Sequence, residues 1–376
     1  MTLTAPAPSA PAAPMEPPGD APQGWAPSPR GWAVRYAVLV AFFLAVVVLP
    51  TSRGLGSEDF AGRFADAAIF AVIALSVNVI LGYTGQLSLG HQGFVGAGAF
   101  AAAYGATVLG LPFAFTFVLA AVVGAVFALG IGAVALRITG LYLALITLVF
   151  GLTLERSLFE VPALTNGGAG QPADRPDWLL SNDNFYWFCL AALAVVLYVD
   201  WRLTRSKAGR ALLALRENER VAEAFGVNVT SYKLLAFVLS GAIAGLGGAL
   251  FAYREQSVVG VSFSFELALT FVLMTVVGGL NSRVGVVAGG SLFALLDYLL
   301  ERFHLTDLVE PLLGESAQFS GRFLGAFLLL ITLIFNPGGI AQQLKPITRW
   351  FAGQRFSLHG DHESGPAAVE GSHVRA

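Results

Sequence analysis

Residues 113–136 read FAFTFVLAAVVGAVFALGIGAVAL, a run in which Thr116 is the one polar side chain and no residue is charged. Wound as a helix at ~1.5 Å per residue, such a run clears the ~30 Å hydrocarbon core of a bilayer. Outward from it in both directions the same pattern recurs. Before it lie apolar stretches from about Trp32 to Pro50, Ala67 to Gly82 and Phe94 to Leu109. After it come Leu141 to Phe159, Phe185 to Val199, Leu234 to Tyr253, Leu267 to Leu280, Val284 to Leu300 and Phe323 to Phe335. The chain as a whole is 56% hydrophobic and 12% charged, with a mean hydropathy of +0.69, which is far too apolar for a water-soluble globule. The expected fold is therefore an all-α integral membrane protein, a multi-helix bundle of about ten transmembrane segments. The stretches around 94–109 and 267–280 are short, so either could be re-entrant or broken.

Forty-three glycines lie mainly inside these apolar stretches, as in Gly96-Ala97-Gly98, Gly245-Leu246-Gly247-Gly248 and Gly289-Gly290. Small residues let helix backbones approach closely in lipid, so a tight bundle is expected. A faint internal echo links Leu81-Gly82, Gly90 and Gly96 with Val277-Gly278-Gly279, Gly285 and Gly289-Gly290.

Outside the bundle, residues 1–31 hold nine of the eighteen prolines and read as a disordered tail, with no signal-peptide pattern. Residues 32–340 form the expected membrane domain and 341–376 a second tail, whose scattered histidines read as solvated. Fifteen of the twenty-two Lys and Arg fall on one side of the bundle if the amino terminus starts there. By the positive-inside rule both termini are expected in the cytoplasm of a multi-pass plasma-membrane protein. The largest cytoplasmic connection is then 200–233, and the largest external ones are 161–184 and about 304–320. A net charge of −2 gives no reason to expect nucleic acid. The single Cys189 excludes an intrachain disulfide and a cysteine metal site, and no metal or catalytic motif is found, so no enzyme activity is expected.

Polar residues at membrane depth mark function by default, because each costs several kcal/mol in hydrocarbon unless partnered. The segment Gly82-Tyr83-Thr84-Gly85-Gln86-Leu87-Ser88-Leu89-Gly90-His91-Gln92-Gly93-Phe94 joins two apolar stretches and gathers several of them. With Asn78 just before it, Thr84, Gln86, Ser88 and His91 are expected to line a translocation path, and Tyr142 and Thr147 are added from a later span. A plain turn in which Thr84 and Ser88 cap a helix fits the same residues, and His91 fits a packed core position equally. Glu155 with Arg156, and Glu266 near Arg254, read as interfacial charges. Asp297 alone lies well inside a span. The glycine run 164–170 could touch a docking protein or substrate.

The polar stretch 206–227 has a different character. Leu212, Leu215 and Ala222 share one helical face, and Val221, Ala224 and Phe225 another, with charges of both signs between them. Gly226 is placed to stop the helix. Balanced charge favours a protein partner over a lipid surface, although a solvated loop helix without a partner fits too.

Three blocks together, Gly82–His91, Arg137–Leu148 and Gly209–Gly226, resemble the branched-chain amino acid ABC transporter permease family, LivM-type, over about 67–339. The resemblance implies an ABC importer permease fold. It implies that Gly209, Arg210, Arg216, Glu217, Asn218, Glu219, Ala222, Glu223 and Gly226 couple to cytoplasmic ABC ATPase subunits. It implies as further partners a second, LivH-like permease subunit and an extracytoplasmic substrate-binding protein, in addition to membrane lipid. The chain lacks the G-x-x-x-x-G-K-[ST] loop. It is expected to bind no cofactor itself, ATP being used by the partner. The resemblance implies import of branched-chain, hydrophobic amino acids by alternating access; the stretch 165–174 is looser than the family's usual glycine-rich run, which leaves urea or a short amide as the alternative substrate. A secondary transporter working without an ATPase is the alternative of another class.

Overall fold

The computed structural model describes residues 37–38, 60–135, 138, 140–302 and 339–344, and the elements below all lie in the compact unit Phe42–Lys345. Apart from residues 37–38, the expected span at 32–50 falls outside the described residues, as do the span at 323–335, the external connection 304–320, residues 1–31, most of 341–376 and the side chain of Asp297.

The described residues include, in order, the helices α1 Phe60–Val77, α2 His91–Thr107, α3 Phe113–Ala135, α4 Leu141–Arg156, α5 Asn182–Arg205, α6 Lys207–Glu217, α7 Glu219–Ala224, α8 Val229–Glu255, α9 Phe265–Gly278 and α10 Arg283–Arg302. Among the described residues, five stretches are long and apolar enough to cross a membrane: Phe60–Gly82, Phe113–Val134, Leu141–Glu160, Asn182–Arg205 and Val229–Glu255. The one sheet among the described residues is a two-stranded antiparallel pair, β1 Gln171–Pro172 with β2 Ser257–Val258. At ~1.5 Å per residue α9 is only ~21 Å long, short of a full crossing on its own.

Helix α8 is the hub, packing against α1, α2 and α3, while α10 packs against α1 and α9. The glycines make this closeness possible. A Cβ on Gly245 would collide with the carbonyl of Ala120 in α3, one on Gly248 with the carbonyl of Val95 in α2, and one on Gly98 with Gly245 itself. Gly278 and Gly285 press α9 on α10 in the same way. In hydrocarbon, where lipid tails are as apolar as leucine, this backbone-to-backbone contact supplies the dispersion energy that holds helices together.

Charged groups collect at two levels. At one, Asp66 of α1 grips Arg254 of α8 with both carboxylate oxygens, at 2.8 and 3.1 Å. Nearby, Arg175 donates to the carbonyls of Tyr253 and Arg254 and lies 3.9 Å over the Phe185 ring. At the other level Lys233, near the opposite end of α8, pairs with Glu219 at 2.8 Å. Lys233 and Arg254 are twenty-one residues apart on one helix, a rise of ~32 Å, which matches the bilayer core.

Two of the expected boundaries shift. The connection drawn as 200–233 begins and ends inside helices, since α5 runs on to Arg205 and α8 starts at Val229. Ser206 caps α6 by accepting from Gly209 N at 3.2 Å, and Asn228 caps α8 by accepting from Ser231 N at 3.0 Å. The second shift lies in the connection after α4. Residues 157–181 are tied down by β1, by the Gln171 side chain donating to Thr107 at 2.5 Å and by Arg175. Its four-residue exposed runs are 160–163 and the tip, 166–169.

Candidate functional site

Helix α1 does not end cleanly. It widens into a π turn, Asn78–Gly82, and the chain then runs irregularly until α2 begins at His91. Single π turns recur at functional positions because they displace side chains from the regular ladder. Gly82 accommodates the Asn78 side chain, which a Cβ there would strike. Asn78 Oδ1 accepts from the backbone N of Asn281 at 2.9 Å. Asn281 lies in the short connection between α9 and α10, just after Gly279 with its φ of 102°. The two stretches of the sequence echo thus meet at their helix breaks.

Of the seven residues expected on a path, Asn78, Thr84, Gln86, Ser88, His91 and Thr147 are buried on or beside this break. Thr147 of α4 accepts from Leu89 N at 3.0 Å and donates to Ala144 O at 2.9 Å, and Thr84 bonds back to Ile80 O. Tyr142 does not join them. It is 74% exposed at the start of α4, on the outward face of a helix whose inward face carries Leu143, Ala144 and Thr147. The spacing put Tyr142 beside Thr147 in sequence, but five positions along a helix separate faces.

Among the described residues, neither amide atom of Gln86 or Gln92 has a hydrogen-bond partner although all four are buried, and the same holds for Ser88 Oγ, Asn78 Nδ2 and His91 Nδ1. Ser76 sends its hydroxyl hydrogen to Ile73 O at 2.6 Å. His91 Nε2, 2.7 Å from Ser76 Oγ, must then carry the bridging hydrogen, which leaves Nδ1 as a bare acceptor. Buried polar groups are normally paired, so five neighbouring residues with idle donors and acceptors form a neutral, polar patch suited to water or an uncharged or zwitterionic solute.

The α6–α7 pair lies against this break. Arg216 Nη1 donates to the carbonyl of Gly82 at 2.6 Å. Close by, Tyr83 donates to both oxygens of Asp200, at 2.8 and 3.0 Å. Asp200 also pairs with Arg283 Nε, and Arg283 in turn donates to Thr204. The ends of α1, α5 and α10 are thereby joined around one buried carboxylate.

The remaining coupling residues sort by what they touch. Gly209 packs against the Leu203 and Thr204 backbone, and Ala222 is buried with Leu212 and Leu215. Asn218 caps α7 by accepting from the backbone N of Arg220 and Val221. Glu219 belongs to the Lys233 pair, and Gly226, at φ 81°, turns the chain out of α7. Arg210 is exposed beside the Arg205 carbonyl, and Glu217 and Glu223 are exposed as well. Val221 and Phe225, 50% and 84% exposed, form the apolar face that α7 leaves uncovered.

Sequence reading missed Tyr83, Gln92, Asp200, Asn281 and Arg283 as site residues. Asp200 did carry a signal, being a lone acid directly after an apolar run, where a carboxylate needs a partner.

The family described as branched-chain amino acid transport system / permease component matches residues 61–332, a range that takes in the break, the two helix pairs around it and α6–α7. The chain belongs to this family. The permease is 29% identical over 84% of its length to the high-affinity branched-chain amino acid transport system permease protein LivM of Salmonella typhimurium, covering 77% of that protein. Against the Escherichia coli LivM it is also 29% identical, over 82% of its own length and 75% of that protein. The Salmonella typhimurium LivH matches at 23% identity over 72% of the permease and 90% of that chain. The protein is thus a multi-pass, all-α membrane permease subunit of an ABC importer, a transport component rather than an enzyme.

Proposed function

We propose that the permease carries branched-chain, hydrophobic amino acids inward through a path lined at the 78–92 break, and that ATP hydrolysis by a separate cytoplasmic ATPase drives it. The observation that carries this reading is the Arg216 contact with Gly82. It places the element expected to meet the ATPase directly on the polar discontinuity. A push on α7 at Val221 and Phe225 reaches the break through α6, while the Tyr83–Asp200–Arg283 cluster holds the ends of α1, α5 and α10 in register. Alternating access then needs only a change in how the breaks at Asn78 and Asn281 meet. The neutral donors and acceptors of the patch suit a zwitterion in transit, and the substrates in the names of the LivM relatives favour branched-chain amino acids.

A LivH-like second permease subunit, ATPase subunits contacting Phe225 and an extracytoplasmic binding protein contacting the exposed 166–169 tip complete the assembly. In this reading both termini are cytoplasmic and about ten spans cross the membrane. The test is uptake of labelled leucine and labelled urea in a strain deleted for this gene and complemented with variants. Leucine uptake should return with the wild type and fall at least tenfold with Phe225→Ser or Arg216→Gln at unchanged membrane levels. Urea uptake in place of leucine would reassign the substrate, and full leucine uptake by both variants would remove the coupling assignment.

A further inference from the structure

Helix α5 leaves the membrane-spanning region with Tyr198, Trp201, Arg202 and Arg205 on one stripe, at the i, i+3, i+4 and i+7 spacing of a single helix face. All four are exposed. Aromatic rings followed by arginines mark the level at which a helix passes from acyl chains into headgroups. At this level a groove of about 430 Å³ opens between α5 and α8, lined by Val199, Arg202, Leu203, Arg205, Ser206 and Leu239. Its walls are of two kinds, with guanidinium groups at the rim and aliphatic side chains behind them. The aliphatic wall continues toward the middle of the span through exposed Val195.

Among the described residues nothing offsets the positive charge. Arg202 has no hydrogen bond or ion pair among the described residues. Arg205 stands 4.5 Å over the Trp201 ring, which fixes its guanidinium plane without neutralising it. Asp200 is the nearest acid in sequence, but it is buried and turned away toward Tyr83 and Arg283. No further acid occurs before Glu217. Ser206 already spends its hydroxyl on the Leu203 carbonyl.

We propose that this groove binds one anionic phospholipid, its phosphate held by Arg202 and Arg205 and an acyl chain lying along Val199, Leu203 and Leu239. A free phosphate or nucleotide would use the arginines but leave the apolar wall wet. A zwitterionic lipid would use the wall but bring its own cation to the arginines. Only an anionic amphiphile matches both. The lipid would sit at the α5–α6 junction, one turn from the Gly209 contact that anchors α6 on α5.

Native mass spectrometry of the full-length chain in its assembled transporter, delipidated and then titrated with phosphatidylglycerol or phosphatidylcholine, tests this. The wild type should retain phosphatidylglycerol in preference to phosphatidylcholine by at least tenfold. Arg202→Gln with Arg205→Gln should lose that preference, whereas Lys207→Gln with Arg210→Gln, which removes the same charge from α6, should keep it within threefold. Leu239→Trp, which fills the groove without altering charge, should weaken phosphatidylglycerol binding and gives the answer if the arginine pair fails to assemble. Equal loss in both charge-removing pairs would reduce the effect to diffuse attraction and overturn the site. Displacement of the lipid by inorganic phosphate at equal concentration, or no preference in the wild type, would overturn it too.

Discussion

Gln92 is fully buried at the start of α2, with neither amide atom partnered among the described residues, a condition that costs ~1–3 kcal/mol per unsatisfied group. Gln92→Leu, close in volume, should therefore leave the protein as stable or raise its unfolding midpoint, while lowering the maximal uptake rate severalfold. Thermal unfolding in detergent beside proteoliposome uptake separates the two effects. A structural glutamine would lower both. Asp200 behaves oppositely, because its side chain is wholly buried between Tyr83 and Arg283. Removing one member of a buried pair costs ~3–5 kcal/mol, and partial exposure of Arg283 brings Asp200→Asn to the low end of that range. Basal ATPase activity of the assembled Asp200→Asn transporter should persist while uptake per ATP falls.

Among the elements, α8 depends most on the absence of side chains. Gly245→Val pushes a branched group into the backbone of Ala120 and Ala121 in α3, and overpacking of this kind costs ~1–3 kcal/mol. The assembled yield should drop, and the loss should be visible by size-exclusion chromatography before any transport assay. Elements were also the scale most legible in the sequence. The apolar runs, the polar break before His91, the inward face of Leu212, Leu215 and Ala222 and the stop at Gly226 all follow local periodicity, which one chain displays fully. Contacts that join distant segments left no such trace. Tyr83 meets Asp200 across 117 residues and Asn281 meets Asn78 across 203, and no local pattern encodes those pairings. The same limit explains Tyr142, a neighbour of Thr147 along the chain but not on the helix surface.

For the whole molecule, the two charge levels define which ends of the bundle face opposite compartments. Cys189 is the single cysteine and is buried, so introduced thiols can be read against a quiet background. Glu223→Cys should react with an impermeant maleimide only in inside-out vesicles, and Ala169→Cys only in intact cells. The reverse pattern would invert the topology and detach α7 from any cytoplasmic motor.

The interrupted backbone between Asn78 and His91 also bears on how such a protein can be improved. An unbroken helix through that stretch would satisfy more main-chain groups than the native path does. Heat-based screening of random libraries will therefore reward substitutions that heal the interruption, and the survivors should be the most robust and the least able to move cargo.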